Sequence, residues 1–396
     1  MDGFEESRIY FSPCGIGLGH VSRSVPIARE VIRRGGQVIF STYLEGIDYV
    51  NQLGYPAVAA PPIHMANDPS GSIDLKSTTM STGITVLPTF LQQVLFEIQW
   101  MQAFKPDLVF SDSRLSSIYA AKLLRVPVML ILNQFLPRLP RDKDNILFRM
   151  ADGSVLTLLG RSWALSDMLI IPDFPEPYTI SLDSLRIPRR YGARVRLVGS
   201  ILPTKPHENN NVHKIRESLD VEEGKSLIYA GISGPKAERL PLIRLLEPIF
   251  KEFPDRYRIV MSLGTPKGGS EPIREGPLTM IPWIEDRFEY LNACDLVISR
   301  SGHETIMQSV CYQKPSIVIP VPRHPEQYGN ARRAVELGVA NAIQQNRVDK
   351  VVLLDMIDEI LDSGQKKRRL QVINQEAGLG DGLERTLDSM LDLLNR

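Results

Sequence analysis

Two short stretches of the chain gather residue types that can do chemistry. The first reads FSPCGIGLGHVSRS over 11–24, where Gly15, Gly17 and Gly19 run directly into His20. A turn this rich in glycine lets backbone approach a ligand closely. An imidazole at the start of the following helix meets the positive end of the helix dipole, which disfavours the imidazolium and keeps the ring available as a base. That suits proton abstraction from a hydroxyl, although a loop histidine that only caps or packs fits the same residues. A partner for it is Asp112 in KPDLVFSDSRLS (105–116), which follows a buried strand at the carboxyl edge where open α/β sheets place their sites. A carboxylate there would fix the tautomer of His20 and stabilise its protonated form. It would serve as readily as the cap of the next helix.

The second stretch, DLVISRSGHETIMQSV (295–310), runs from an apolar strand through Ser301 and Gly302 straight into a helix. Free amides at such a helix start point at an anion, small residues let a phosphate come close, and Arg300 adds a positive charge. An ordinary turn capped by Ser301 is the plainer alternative. Next comes PSIVIPVPRHPEQYGNARRAVELGVA (315–340), a strand followed by His324, Glu326, Gln327 and Asn330. Planar amides and carboxylates give and accept the paired hydrogen bonds that sugar hydroxyls need, although Glu326 and Gln327 taken singly read as solvated helix-start residues. A phosphate-binding helix start beside a hydroxyl-reading loop points to a nucleotide sugar. YAGISGPK (229–236) offers Gly231, Ser233 and Gly234 as a further place for backbone to meet phosphate. IPWIEDRF (281–288) places Trp283 and Ile284 where an aromatic face and backbone amides would hold a base, or where Trp283 simply packs.

Other classes recede. A dinucleotide turn has its third glycine where this chain has His20, and the second strand, VIFST at 38–42, ends without the carboxylate that holds a ribose, so a nicotinamide enzyme is disfavoured. Lys plus Arg equal Asp plus Glu at 46 each, so no net field recruits nucleic acid. Cys14, Cys294 and Cys311 have neither the count nor the spacing of a disulfide framework or a zinc site, and no Asp-x-Asp or His/Asp cluster suggests magnesium. The acidic start MDGFEESRIY lacks the basic and apolar regions of a signal peptide, and VPVMLIL (126–132) is too short to cross a bilayer. A cytoplasmic protein is expected.

These stretches need a scaffold, and the apolar patterning supplies one. Short apolar runs alternate with amphipathic segments through both halves, the βαβ rhythm of a parallel sheet. A chain of 396 residues exceeds one compact core. The polar, proline-bearing ILPTKPHENNN at 201–211 suits neither helix nor strand. The expectation is an α/β protein of two doubly wound Rossmann-like domains facing across a cleft. Residues 1–200 would form an acceptor domain and 212–382 a donor domain. A final helix over 383–396 would pack back on the first.

With these residues in view, the sequence resembles the GT-B glycosyltransferases, in particular the family 28 branch of the lipid-linked GlcNAc transferase of peptidoglycan synthesis and the UDP-glycosyltransferases. The resemblance spans the chain in domain order and concentrates in GIGLGH and SRSGHET…PEQYGNA. It implies that His20 is the base for the acceptor hydroxyl and that Asp112 orients it. It further implies that Ser301, Gly302, His303, Glu304 and Thr305 bind the donor diphosphate, chiefly through backbone amides, and that Glu326 and Gln327 bind the sugar. Many relatives hold the ribose with a glutamate where this chain has Gln308, and UDP-glycosyltransferases have a histidine in the place of Arg300.

The function expected is an inverting, metal-independent transfer from a nucleotide sugar, most readily a UDP-sugar, to a hydroxyl acceptor in cell-envelope glycan synthesis, with no cofactor. A nucleotide-sugar 2-epimerase of the same fold and a non-catalytic nucleotide-sugar binder are the alternatives. ITVLPTFLQQVLFEIQWMQAF (84–104) is apolar on more than one face, which fits a helix buried in a large domain. With the basic PRLPRDKD at 137–144 it also fits a peripheral membrane contact toward a lipid-linked acceptor.

Overall fold

The computed structural model describes residues 3–16, 18–62, 75–133, 135, 159–185, 187, 189–206, 211–232, 234–265, 269, 271–377 and 379–396. Gly17, Ser233 and the basic segment 137–144 lie outside them.

The first sheet has the order β3-β2-β1-β4-β5-β6-β7, built from β1 (Arg8–Pro13), β2 (Gln37–Thr42), β3 (Ala57–Ala59), β4 (Leu108–Asp112), β5 (Val128–Ile131), β6 (Met168–Ile171) and β7 (Val195–Leu197). Every pairing in it is parallel. Helices α1 (Gly19–Arg33), α2 (Glu45–Gln52), α3 (Leu75–Phe104), α4 (Leu115–Leu124) and the single turn α5 (Leu182–Leu185) connect the strands. Covered faces explain why β4 and β5 are buried along their whole length, β5 as an unbroken apolar run and β4 as one that ends in Ser111 and Asp112.

The strand order reverses at β1, which has β2 on one side and β4 on the other. Crossovers leave such a point in opposite directions, so a crevice opens at the carboxyl ends of the strands. Register places Pro13 opposite Asp112, and Cys14 N donates to Asp112 O at 3.0 Å. The glycine turn and Asp112 are therefore neighbours in space although 92 residues separate His20 from Asp112.

The second sheet repeats the device. Its order is β10-β11-β9-β8-β12-β13-β14, from β8 (Ser226–Gly231), β9 (Tyr257–Ser262), β10 (Ile273–Glu275), β11 (Leu278–Ile281), β12 (Leu296–Ser299), β13 (Ser316–Val318) and β14 (Ala340–Ala342). Gly231 pairs with Ser299 on one side and Ser262 on the other, so the turns after β8 and β12 share one crevice. The helices are α6 (Val212–Ser218), α7 (Lys236–Lys251), α8 (Arg287–Ala293), α9 (His303–Cys311), α10 (Pro325–Glu336), α11 (Lys350–Ser363) and α12 (Gln365–Ala377). The antiparallel edge strand β10 and helix α12 escape sequence reading. All three residues of β10 are exposed, so it carries no apolar run to betray it.

The linear division does not hold everywhere in space. Phe174, Tyr178 and Ile180, encoded before the 201–211 segment, pack in the core of the second sheet. The last helix, α13 (Gly382–Leu394), places Leu387, Met390 and Leu393 in the core of the first. Helix α3 is not buried all round. Its inner stripe carries the buried Gln93 and Glu97, while Leu87, Leu91 and Leu95 are 64%, 53% and 67% exposed. No helix among the described residues is long and apolar enough to cross a membrane.

Candidate active site

His20 is the second residue of α1, and its Nδ1 lies 2.7 Å from Asp112 Oδ1. Arg23 grips the same carboxylate from one turn later, with Nε at 2.5 Å from Oδ2 and NH2 at 2.5 Å from Oδ1. Residues at i and i+3 share a helix face, which is why α1 delivers both groups to the end of β4. Asp112 is fully buried. Burial alone would raise its carboxyl, but Arg23 and His20 outweigh it and hold it at about 2. An ionised carboxylate only accepts, so Nδ1 carries the proton and Nε2 is left as the acceptor. Asp112 therefore does not cap α4, whose N-cap is Arg114 without a side-chain bond. Gly15 makes the turn possible, because a Cβ there would sit 1.8 Å from the Tyr43 carbonyl oxygen.

Facing this group across a cleft of about 460 Å³ is the start of α9. Gly302 is its N-cap, with φ −63° and ψ 136° and no side-chain cap bond, and a Cβ there would meet nothing nearer than Thr305 Oγ1 at 4.0 Å. The first amides of α9 are thus open to an anion. Gly19, His20, Arg23, Gly231, Gly234, Trp283, Ile284, Gly302, His303, Glu304, Thr305, Gln308, Glu326 and Gln327 all line this one cleft. Gly234 sits at φ +109°, a conformation that favours glycine. Trp283 is half-buried and meets Tyr49 of the first domain edge-on, with ring centroids 6.0 Å apart.

Several expected contacts are corrected. Arg300 borders the cleft, but its NH1 donates to Ile319 O and Pro320 O and its NH2 to Glu238 O at 2.6 Å. Burial pulls its guanidinium down to about 10. It secures strand ends, so it does not supply the phosphate-facing charge. Ser301 is fully buried with Oγ donating to Gln327 O at 2.9 Å, and Asn330 Nδ2 donates to Ser301 O at 3.2 Å. Neither side chain lines the cleft; together they lash the β12–α9 turn to α10. Gln327 Oε1 accepts from Val321 N at 3.0 Å, so its amide has only its NH2 to give. His303 turns its ring to the first domain, with Nε2 3.0 Å from the buried Asp173 Oδ2. Glu304 Oε1 accepts from Gln308 Nε2 at 2.7 Å and Arg287 NH2 at 3.2 Å, so a carboxylate stands beside the glutamine at the expected ribose position.

Sequence reading missed Arg23, Asp173 and Asn133, whose Nδ2 reaches Glu326 Oε1 at 3.1 Å. Arg23 alone had a local signal, its i+3 spacing from His20.

The architecture has solved counterparts. The glycosyltransferase of kitacinnamycin matches over 98% of this chain and 99% of its own, at TM-score 0.66 and 16% identity. Acinetobacter baumannii MurG matches over 98% and 99%, at TM-score 0.60 and 16% identity. Two such domains with this cleft define the GT-B fold, and the chain has that fold. Residues 261–384 match the glycosyltransferase family 28 C-terminal domain. An uncharacterized glycosyltransferase of Methanosarcina acetivorans is 25% identical over 97% of this chain and 98% of its own. A Bacillus cereus relative named UDP-N-acetylglucosamine–N-acetylmuramyl-(pentapeptide) pyrophosphoryl-undecaprenol N-acetylglucosamine transferase 1 is 23% identical over 78% and 79%.

Proposed function

We propose that the protein moves a hexose-type sugar from UDP to an acceptor hydroxyl with inversion, needing neither metal nor cofactor. The observation that carries this reading is the His20–Asp112 pair standing in one cleft with the open amino end of α9. His20 Nε2 takes the acceptor proton, the acceptor oxygen forms its bond to the anomeric carbon from the face opposite the diphosphate, and the bond to the diphosphate breaks. The proton ends on the imidazole, whose charge Asp112 stabilises. The charge on the departing diphosphate is met by the amides of α9, an oxyanion-type role. Trp283 and Ile284 hold the base, Glu304 and Gln308 the ribose, and Glu326 and Gln327 the sugar.

A lipid-linked acceptor at the inner face of the cell membrane completes the reading. Its support is the acceptor in the name of the Bacillus cereus relative and the exposed stripe of Leu87, Leu91 and Leu95 on α3.

Calorimetric titration with UDP, GDP, dTDP and ADP tests the donor half. Selective UDP binding is expected, abolished by Gly302→Trp, whose side chain fills the approach to α9 at a backbone conformation any residue adopts. His20→Ala is expected to keep UDP affinity while turnover falls by about 10²–10⁴. A wild-type protein that binds no nucleotide would sink the proposal.

A further inference from the structure

One carboxylate of the cleft serves nothing around it. Glu238, in the first turn of α7, is 8% exposed and lines the cleft. Its backbone carbonyl accepts from Arg300, yet among the described residues nothing donates to its carboxylate. Lining the cleft, it stands open to a hydroxyl donor brought there by a ligand. Burial pushes the carboxyl above its usual range, against the pull of His324 and Arg300, and Glu326 adds to the push.

Arg300 ties the Glu238 carbonyl to those of Ile319 and Pro320, just ahead of α10, and Glu238, His324 and Glu326 line the same cleft. His324 Nδ1 accepts from Gln327 N at 3.4 Å, and among the described residues Nε2 has no partner. The neighbouring guanidinium groups are already engaged. Arg300 holds carbonyls, and Arg239 NH1 donates to Gly234 O at 3.0 Å. Two carboxylates therefore share this end of the cleft, an arrangement that accepts hydroxyl protons and repels an anion.

Resting on the nucleotide-sugar reading above, we infer that Glu238 is a specificity-determining contact for the transferred sugar, forming with Glu326 and His324 a cluster that binds hydroxyls of a neutral hexose or N-acetylhexosamine and rejects a uronate. The α9 end of the cleft takes the diphosphate, and this end sorts donors by charge.

Calorimetry with UDP, UDP-glucose, UDP-N-acetylglucosamine and UDP-glucuronate on the wild type, Glu238→Gln and Glu238→Ala tests this, with thermal melting as a check on folding. The wild type should bind one neutral donor at least about 10-fold more tightly than UDP-glucuronate. Glu238→Ala should lose about 10-fold or more for that donor with UDP affinity unchanged, and Glu238→Gln should narrow the gap to the glucuronate. Equal wild-type affinities for neutral and anionic donors, or unchanged ratios in both variants, would overturn the inference while leaving the transfer reading intact. So would a joint loss of UDP binding and melting temperature, which marks a structural role. A wild type that binds no nucleotide would remove the parent reading and this one with it.

Discussion

At the scale of residues, the site turns on a carboxylate held by two cations of different kinds. Arg23 neutralises Asp112 permanently, whereas His20, in the proposed mechanism, exchanges a proton. Because the Asp112 carboxyl is held at about 2, below its ordinary 3.8, its contribution to stability is present above 3.8 and is lost as pH falls toward 2. Replacing the guanidinium by an apolar chain of similar length leaves burial opposed by His20 alone. Arg23→Met should therefore shift the acid-unfolding midpoint to higher pH, followed by circular dichroism. The acid limb of the turnover profile should move the same way, since an uncharged Asp112 no longer orients the base. An unmoved midpoint would show that Arg23 is not what keeps Asp112 ionised.

At the scale of elements, a buried polar anchor ties one long helix to the first sheet and to the turn after β4. Helix α3 is pinned through Glu97, which is fully buried and accepts from Tyr10 OH at 2.7 Å, Ser41 Oγ at 2.8 Å and Arg114 NH2 at 2.5 Å. Arg114 lies two residues after Asp112, so the same anchor steadies the turn that carries Asp112. Removing one member of a buried ion pair strands the other, at a cost of about 3–5 kcal/mol. Glu97→Ala should lose that much in urea unfolding, and Glu97→Leu combined with Arg114→Leu should recover most of it. A double variant as unstable as the single one would mean that packing, not the stranded charge, sets the cost.

At the scale of the molecule, the chain crosses between domains more than once, and the crossings act as struts. Asp173 meets His303 from the first domain, Arg333 Nε donates to Thr179 O at 3.0 Å, and Arg332 pairs with Asp183. Tyr178 bonds Glu376 in the same region. These contacts set α9 and α10 against the first domain, so the donor side and the base face each other in a fixed relation. Helix α13 closes the circuit from the other end. Leu387→Ala empties a fully buried position in the core of the first sheet and should cost about 2–5 kcal/mol. Urea unfolding should show the loss while UDP affinity, which the proposed donor site assigns to the second domain, stays at the wild-type value. Weakened UDP binding would instead show that α13 holds the domains in register.

Local chemistry made much of this legible in the sequence. Glycines before His20, the helix start at Gly302 and the alternation of apolar runs each depend on a few adjacent residues, and each marks its element without help from the rest of the chain. Pairing, engagement and exposure are different in kind. Arg300 looked like a free charge because sequence cannot show the carbonyls of Glu238, Ile319 and Pro320 converging on it. Ser301 and Asn330 looked like ligand groups, yet they satisfy each other's loops, because buried polar atoms find partners wherever the fold brings them. Glu238 was silent for the opposite reason: a glutamate in a first helical turn is ordinary until tertiary packing buries it and leaves its carboxylate without a donor among the described residues. The sequence determined which residues have the means to act, and only the three-dimensional packing decided which were left unsatisfied and facing the cleft.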